Sequence, residues 1–387
     1  MVKEVIKLSP IMLLAFFTTI NLLIFIDRGV LSSVLTILKN DPDTDIVPIP
    51  ALNTTDSAPV NVDPPLTIPG LGIDESQQGA LGSLFMLGFI VSAPIFAHYS
   101  QICHPFYLIA VGMSIWGLAS ILAATSYSYF QLIISRALSG VGEASFISLA
   151  PPIILDNASE KNKSTWIAIF YSTIALGYAV GYLYGGFTVD LIGSWRWAFG
   201  IEGIIILPII LICIFSEKDP KMLAKRKEKK KDKAKGKDPN QILGLITQFK
   251  KLYTNALYVF ITLGFTAFIF TVGAYGYWIP TIFKELFNTT EDFGNILSGL
   301  LTLICGVVGT LLGAFILDLL IKELVDVKGM KESKREKLLK HKYTQYSTIF
   351  LSVTTLIGTI AGIVGTASQN FWGFTIGFAV GEFCIFL

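Results

Sequence analysis

Arg136-Ala-Leu-Ser-Gly-Val-Gly-Glu143-Ala-Ser145 is the stretch on which the reading of this chain turns. It lies inside an apolar run, Gln131 to Asp156, long enough to cross a bilayer as a helix. Arg136 and Glu143 are seven residues apart. At 3.6 residues per turn they share one face, roughly 10 Å apart along the axis. Ser139, Gly140, Gly142, Ala144 and Ser145 lie between and after them, and small residues let neighbouring helices come close. A charge at membrane depth is costly and normally faces a wet cavity or a partner. The helix is therefore expected to line a polar path through a membrane protein. An ion pair that merely locks two helices would use the same residues.

Composition sets the class. Hydrophobic residues make up 52% of the 387 and charged residues 15%, against about 25% charged in a soluble globular chain. Apolar runs of spanning length occur at about 10–37, 77–97, 105–124, 131–155, 165–190, 197–215, 256–283, 294–320, 347–367 and 370–387. The fold class is thus an all-α polytopic membrane protein with ten transmembrane helices. The net charge of +2 is uninformative because the charges are segregated. With the N-terminus in the cytosol, inner segments hold 25 of the 30 Lys and Arg, and outer segments hold Lys39, Arg196 and Lys284. That asymmetry predicts the orientation. Cys103, Cys213, Cys305 and Cys384 show no paired spacing, and no disulfide is expected. The N-terminus lacks a small-residue cleavage pattern, so no cleaved signal is expected.

The outer segment at about 38–76 is long, Pro-rich and acidic, and it carries the sequon Asn53-Thr-Thr; a second outer sequon is Asn288-Thr-Thr. Both are glycosylation candidates. Lys221 to Lys237 is a lysine-rich run, expected to be a solvated linker that also draws anionic inner-leaflet lipid. Leu338 and Leu339, set among charges in the next inner segment, suggest a short surface helix. The division is then 1–216, a six-helix half; 217–254, a basic cytosolic linker; and 255–387, a half with four helices. This arrangement resembles the layout of a major-facilitator transporter. Such a transporter has twelve helices, and this chain ends at Leu387 inside an apolar run. Helices eleven and twelve are expected to be missing.

Asn21-Leu-Leu-Ile-Phe-Ile-Asp27-Arg28, Arg136 through Pro152, Asn157-Ala, Trp195-Arg-Trp-Ala-Phe and Gly381-Glu382 together resemble the spinster family of major-facilitator transporters. The resemblance implies a major-facilitator fold and export of lysophospholipids or sphingoid lipids, proton-driven, from late endosomes, lysosomes or the plasma membrane. It also implies that helices one, four, seven and ten line the central cavity. The mid-membrane charges agree: Asp27 and Arg28 in helix one, Arg136 and Glu143 in helix four, Glu382 in helix ten. Helix seven offers Tyr275, Tyr277 and Trp278. Glu202 in helix six is the exception, read as a carboxylate near a helix N-terminus.

Two superfamily signatures are altered. Where a glycine–aspartate–arginine signature is expected after helix two, the chain reads Ala93-Pro-Ile-Phe-Ala-His98, so the inner gate is expected to be held another way. Gly177, Gly181, Gly185 and Gly186 around Tyr182 resemble the helix-five antiporter motif, with Tyr182 in place of its proline; tight helix packing would use the same glycines.

The expected mechanism follows. Asp27 and Arg28 point about 100° apart, so Arg136 is expected near Asp27, with Glu143 deeper. Burial disfavours an ionised carboxylate and a neighbouring arginine favours it. Alternating exposure of Asp27 and Glu143 would then exchange a proton between the two sides. Arg28 or Arg136 is the expected contact for an anionic headgroup, because a planar guanidinium suits phosphate. Phe265, Phe268, Phe270 and Phe374 are candidate walls for an acyl chain. A carrier for a small organic anion or sugar is the alternative, although helices four and seven hold almost no amides. A non-transport membrane receptor is a further alternative. No zinc-ligand pair or nucleophile elbow supports an enzyme. No cofactor, metal or nucleic-acid partner is expected, and the chain is expected to act as a monomer.

Overall fold

The computed structural model describes residues 9–40, 69–100, 103–159, 163–216, 250–313 and 332–387, with Thr247, Phe315, Ile316 and Leu319. Asn53 and the Lys221–Lys237 run lie outside them, as does the side chain of Phe268. The helices are α1 (Pro10–Leu38), α2 (Glu75–Tyr99), α3 (Pro105–Ala124), α4 (Tyr129–Asn157), α5 (Lys163–Ile192), α6 (Arg196–Phe215), α7 (Ala256–Phe287), α8 (Glu291–Leu303), α9 (Glu332–Ala367) and α10 (Phe371–Phe386). Among the described residues, nine spans are long and apolar enough to cross a membrane, and α10 is a shorter apolar helix.

Helix starts follow local chemistry. Ser9, Ser128, Thr290 and Asn370 each accept a hydrogen bond from a backbone N–H three residues on, which satisfies a donor the helix itself leaves free. Asp74 and Gln77 cap α2 reciprocally. α8 runs into a π turn, Ile304–Val308, where Gly306 lies against Ala175 of α5. One expectation changes. The charged stretch around Leu338 and Leu339 is helical, but as the leading turns of α9. Glu332 to Ile357 contains neither glycine nor proline, so nothing ends the helix before the membrane span begins.

Close packing sets the helices around the site. A Cβ on Gly142 would lie 2.6 Å from the Gly112 carbonyl oxygen, while Gly140 abuts the Phe85 carbonyl. The Ser-Gly-Val-Gly stretch thus lets α4 touch α2 with one glycine and α3 with the other. On α1, a Cβ at Gly29 would lie 2.6 Å from the Tyr178 carbonyl oxygen and 2.9 Å from the Gly181 Cα. α1 and α5 therefore cross in direct backbone contact, one residue beyond Arg28.

Odd-numbered helices begin on what we term the near face and end on the far face. Hydrogen bonds tie residues 276–285 of α7 to the first six helices. Tyr182 Oη donates to the Gly276 carbonyl at 2.7 Å, and Ser32 Oγ to the Tyr277 carbonyl at 2.5 Å. Tyr277 Oη donates to the Gln78 carbonyl at 2.7 Å, and Lys39 Nζ to Glu285 at 2.8 Å. Ile279 and Phe283 are fully buried, whereas Phe260, Ile261, Leu263 and Phe265 are each at least 60% exposed. The two groups of helices meet at the far face and stand apart toward the near face.

Candidate functional site

The site is built on the α1–α4 contact. Asp27 and Arg28 differ by about 1.5 Å along α1, whereas Arg136 and Glu143 are roughly 10 Å apart along α4. Two long arginine side chains span the difference, in opposite senses. Arg136 Nη1 donates to Asp27 Oδ2 at 3.1 Å and Oδ1 at 3.3 Å. Arg28 Nη2 and Nε donate to Glu143 Oε2 at 2.8 and 3.2 Å. Each helix thus supplies one acid and one base, and the net charge of the quartet is zero. Pairing each acid with a base is what lets four ionisable groups sit inside a bundle.

The two pairs differ in enclosure. Asp27 and Arg136 are each 1% exposed and Glu143 is fully buried, while the Arg28 side chain is 17% exposed. The Arg136 guanidinium lies 4.6 Å over the Phe199 ring. Arg28 lies between Phe25 and Phe85, at 4.7 and 4.9 Å. Such faces attract a guanidinium through the ring quadrupole. Arg136 and Arg28 were equal candidates for a headgroup contact; here Arg136 is sealed beneath Phe199 and only Arg28 has an open side.

Glu202 requires a correction. It is 5% exposed, both carboxyl oxygens are buried, and it faces Asp27 and Arg136. It lies nearly two turns inside α6, which starts at Arg196, whereas the helix dipole acts within the first turn. Counting from the Trp195 cap could have shown this. Asp27 and Glu143 are consequently joined by a third carboxyl at the centre of the first six helices. Tyr178 was also missed. It faces Arg28 and lines, with Tyr182, Tyr275 and Thr302, a small cavity containing Glu382. Glu382 is 8% exposed, so this cavity brings a buried α10 carboxyl and the tyrosine that faces Arg28 into one lining.

The other candidate residues are spread out. Tyr275 packs edge-on against Phe378 at 5.2 Å, joining α7 to α10. Tyr277 ties α7 to α1 and α2 at the far face, and Trp278 lines a far-face groove with Lys39, Glu75 and Glu285. Lys39 Nζ bridges Glu285 at 2.8 Å and Glu75 at 3.1 Å. The hydrogen bond to Glu285, ahead of that to Glu75, holds the Lys39 ammonium pKa above its ordinary value despite partial burial. Gly177, Gly181 and Gly185 meet α1 at Phe25, Ile26 and Ser33, and Gly186 faces Asn295 of α8. His98 stands in the last turn of α2, edge-on to Tyr99. Asn288 is exposed between α7 and α8, with φ of 49°. Phe265 and Phe270 are open, whereas Phe374 is 4% exposed among Phe283, Phe287 and Phe378 and lines the floor of the far-face groove beside Trp278.

The Major Facilitator Superfamily profile matches residues 17–386. A probable sphingolipid transporter, spinster homolog 2 of Arabidopsis thaliana, is 33% identical over 98% of this chain and 72% of its own length. This chain belongs to the spinster family of the Major Facilitator Superfamily. It is an integral, multi-pass membrane protein, as its helices and its family require. The sphingosine-1-phosphate transporter SPNS2 of Danio rerio is 27% identical over 62% of this chain and 49% of its own length. A crystal structure of a bacterial homolog to the human lysosomal transporter spinster, inward-facing and unoccupied, superposes with a TM-score of 0.60. It is 18% identical and covers 97% of this chain and 73% of its own, which speaks for the fold alone. In this spinster relative, the quartet sits where the α1–α4 crossing forms the heart of the first half.

Proposed function

We propose that this spinster protein carries a lysophospholipid or sphingoid lipid across a membrane and couples that movement to protons. The observation that carries the reading is the unequal quartet: Arg28 is paired to Glu143 yet open on one side, while Arg136 and Asp27 are sealed. A phosphate-bearing headgroup entering from the near face would compete with Glu143 for the Arg28 fork. Protonation of Glu143 would release Arg28 to the headgroup, and loss of the proton would restore the ion pair and expel it. The groups facing Glu143 are Arg28 and Asp27 on α1, Arg136 on α4, Tyr178 on α5 and Glu202 on α6. They make its ionisation depend on how α1, α4 and α6 pack. The names of the Arabidopsis and Danio relatives, a sphingolipid and a sphingosine-1-phosphate transporter, support the substrate class.

The near face is proposed to be cytosolic, because the lysine-rich segments belong to it. There they would also hold anionic lipid. The protein acts as a monomer in this scheme, since the quartet is complete within one chain.

The test is flux of labelled lysolipids and sphingoid lipids in vesicles, with and without a pH gradient. Glu143→Gln keeps size and hydrogen bonding but cannot titrate, so it should bind substrate and lose gradient-driven flux. Arg28→Lys keeps charge but loses the fork and should weaken headgroup binding. If Glu143→Gln and Asp27→Asn both leave flux as pH-dependent as in the parent, the carboxylates are structural and the protein is a facilitated carrier.

A further inference from the structure

Among the described residues, the centre of the first six helices holds three acids but two arginines. Asp27 accepts two hydrogen bonds from Arg136, and Glu143 accepts two from Arg28. Glu202 is served by neither arginine: it is 5% exposed, and neither carboxyl oxygen receives a hydrogen bond from a donor among the described residues. Its place is set by α6. Ala198, Phe199, Glu202, Gly203 and Ile206 lie on the buried stripe of that helix. The Phe199 ring lies 4.6 Å from the Arg136 guanidinium, and Glu202 follows it on the same face about one turn later. Gly203 lets α6 close on α3, since a Cβ there would lie 2.9 Å from Ile121 Cγ1.

The group that the Glu202 carboxyl meets, at hydrogen-bonding range, is the Asp27 carboxyl. Ionised carboxylates are acceptors only, so two of them have nothing to share. Like charges in contact do not both ionise cheaply, and an ionised carboxylate buried without a donor is costly in itself. The other groups around Glu202 leave this unchanged. Arg136 and Glu143 on α4 are already paired, and Tyr184 on α5 donates its Oη hydrogen to the Ala198 carbonyl at 3.0 Å. α3 carries no charged residue, and its one tyrosine, Tyr107, stands in its first turn, about 20 Å along the axis from Ile121.

We propose that Glu202 is a second proton site: at neutral pH its carboxyl carries a proton, donates it to an Asp27 oxygen, and brings three acids and two arginines to zero net charge. The shared proton also positions Asp27 for Arg136. Arg136 Nε and Nη2 are buried without a partner among the described residues, and these are the donors a Glu202 carboxylate would take once its proton has gone. Passing the proton from Glu202 to Asp27 turns the acid into a carboxylate and the carboxylate into an acid. The negative charge then moves from one acid of Arg136 to the other, and the charge of the cluster is unaltered. The inference stands apart from the coupling proposed for Glu143, because it concerns where the cluster keeps a proton whether or not protons drive flux.

The experiment is infrared spectroscopy of the full chain, made by cell-free synthesis in an ester-free detergent and read in the C=O stretch of protonated carboxylic acids. At neutral pH, Glu202→Gln should remove one carboxylic C=O band, with the intensity of one carboxyl per chain. Asp27→Asn should remove the same band, because Arg136 then takes Glu202 as its anion. Glutamate carrying carbon-13 in its side-chain carboxyl should shift that band in the parent protein, and carbon-13 aspartate should not. Glu143→Gln should leave it in place, which separates this proton from the one proposed for Glu143. Flux that ignored a pH gradient would remove the coupling reading and leave the band untouched. Thermal unfolding establishes that each variant is folded, and the two isotope spectra need no variant at all. A parent spectrum without a glutamate-derived carboxylic band that Glu202→Gln removes would overturn the proposal. So would a band that shifts with labelled aspartate, which puts the proton on Asp27, or one that survives Asp27→Asn.

Discussion

Removing Arg136 should injure the fold far more than removing either acid beside it. Arg136 is 1% exposed, its Nη1 bonds both oxygens of Asp27, and Glu202 faces the same guanidinium. Arg136→Met keeps most of the volume and the contact with Phe199 but leaves two buried carboxyls side by side. Breaking a buried pair by deleting one partner costs about 3–5 kcal/mol. For a chain of this length that corresponds to roughly 4–6 °C in the unfolding midpoint. Asp27→Asn should be milder, about 1–2 kcal/mol, because Glu202 remains to compensate Arg136. The distinguishing result is in the combinations. Glu202→Gln added to Arg136→Met should recover part of the loss, and Asp27→Leu added to both should recover most of the remainder. Neighbours in one network couple by about 0.5–3 kcal/mol. The assay is thermal unfolding of purified protein in one detergent, followed by tryptophan fluorescence. If Arg136→Met is no worse than Asp27→Asn, or if Glu202→Gln worsens it, then Glu202 is not part of the cluster and the account of α6 is wrong.

Gly29→Ala should destabilise by about 1–3 kcal/mol, since its methyl would strike the Tyr178 carbonyl. Gly264→Ala, where a Cβ meets nothing within 4 Å, should be neutral or slightly stabilising by the same thermal assay. Lys39→Met removes both far-face ion pairs, each exposed and worth about 0–1 kcal/mol. A cysteine at Thr281, which is 6% exposed in the far-face groove, should then react several-fold faster with an impermeant thiol reagent; an unchanged rate would mean that Lys39 does not hold the halves together. Tyr277→Phe deletes the hydrogen bond to Gln78 and should add to the Lys39→Met effect at Thr281. A cysteine at Lys225 should react only from the cytosolic side, and labelling from outside would reverse the proposed orientation.

Class, the positions of the apolar runs and four of the central charges, Asp27, Arg28, Arg136 and Glu143, could be read directly from the chain. Each is a local property: a helix in lipid must satisfy its own backbone and present apolar side chains, so hydropathy over some twenty residues marks it. Among the described residues, the ten apolar runs accordingly fall on ten helices, nine of them long enough to cross a membrane. Arg136 and Glu143 share a face for the same local reason. Which acid answers which base was a different matter. Adjacent residues on α1 point about 100° apart, and their partners depend on where α1 and α4 cross. That crossing is set by backbone contacts at Gly29, Gly140 and Gly142 with three other helices. Only the assembled bundle could pair Arg28 with Glu143, seal Arg136 beneath Phe199, and bring Glu202 from α6 to Asp27. Periodicity within one helix says which way a side chain points; only packing says what stands opposite it.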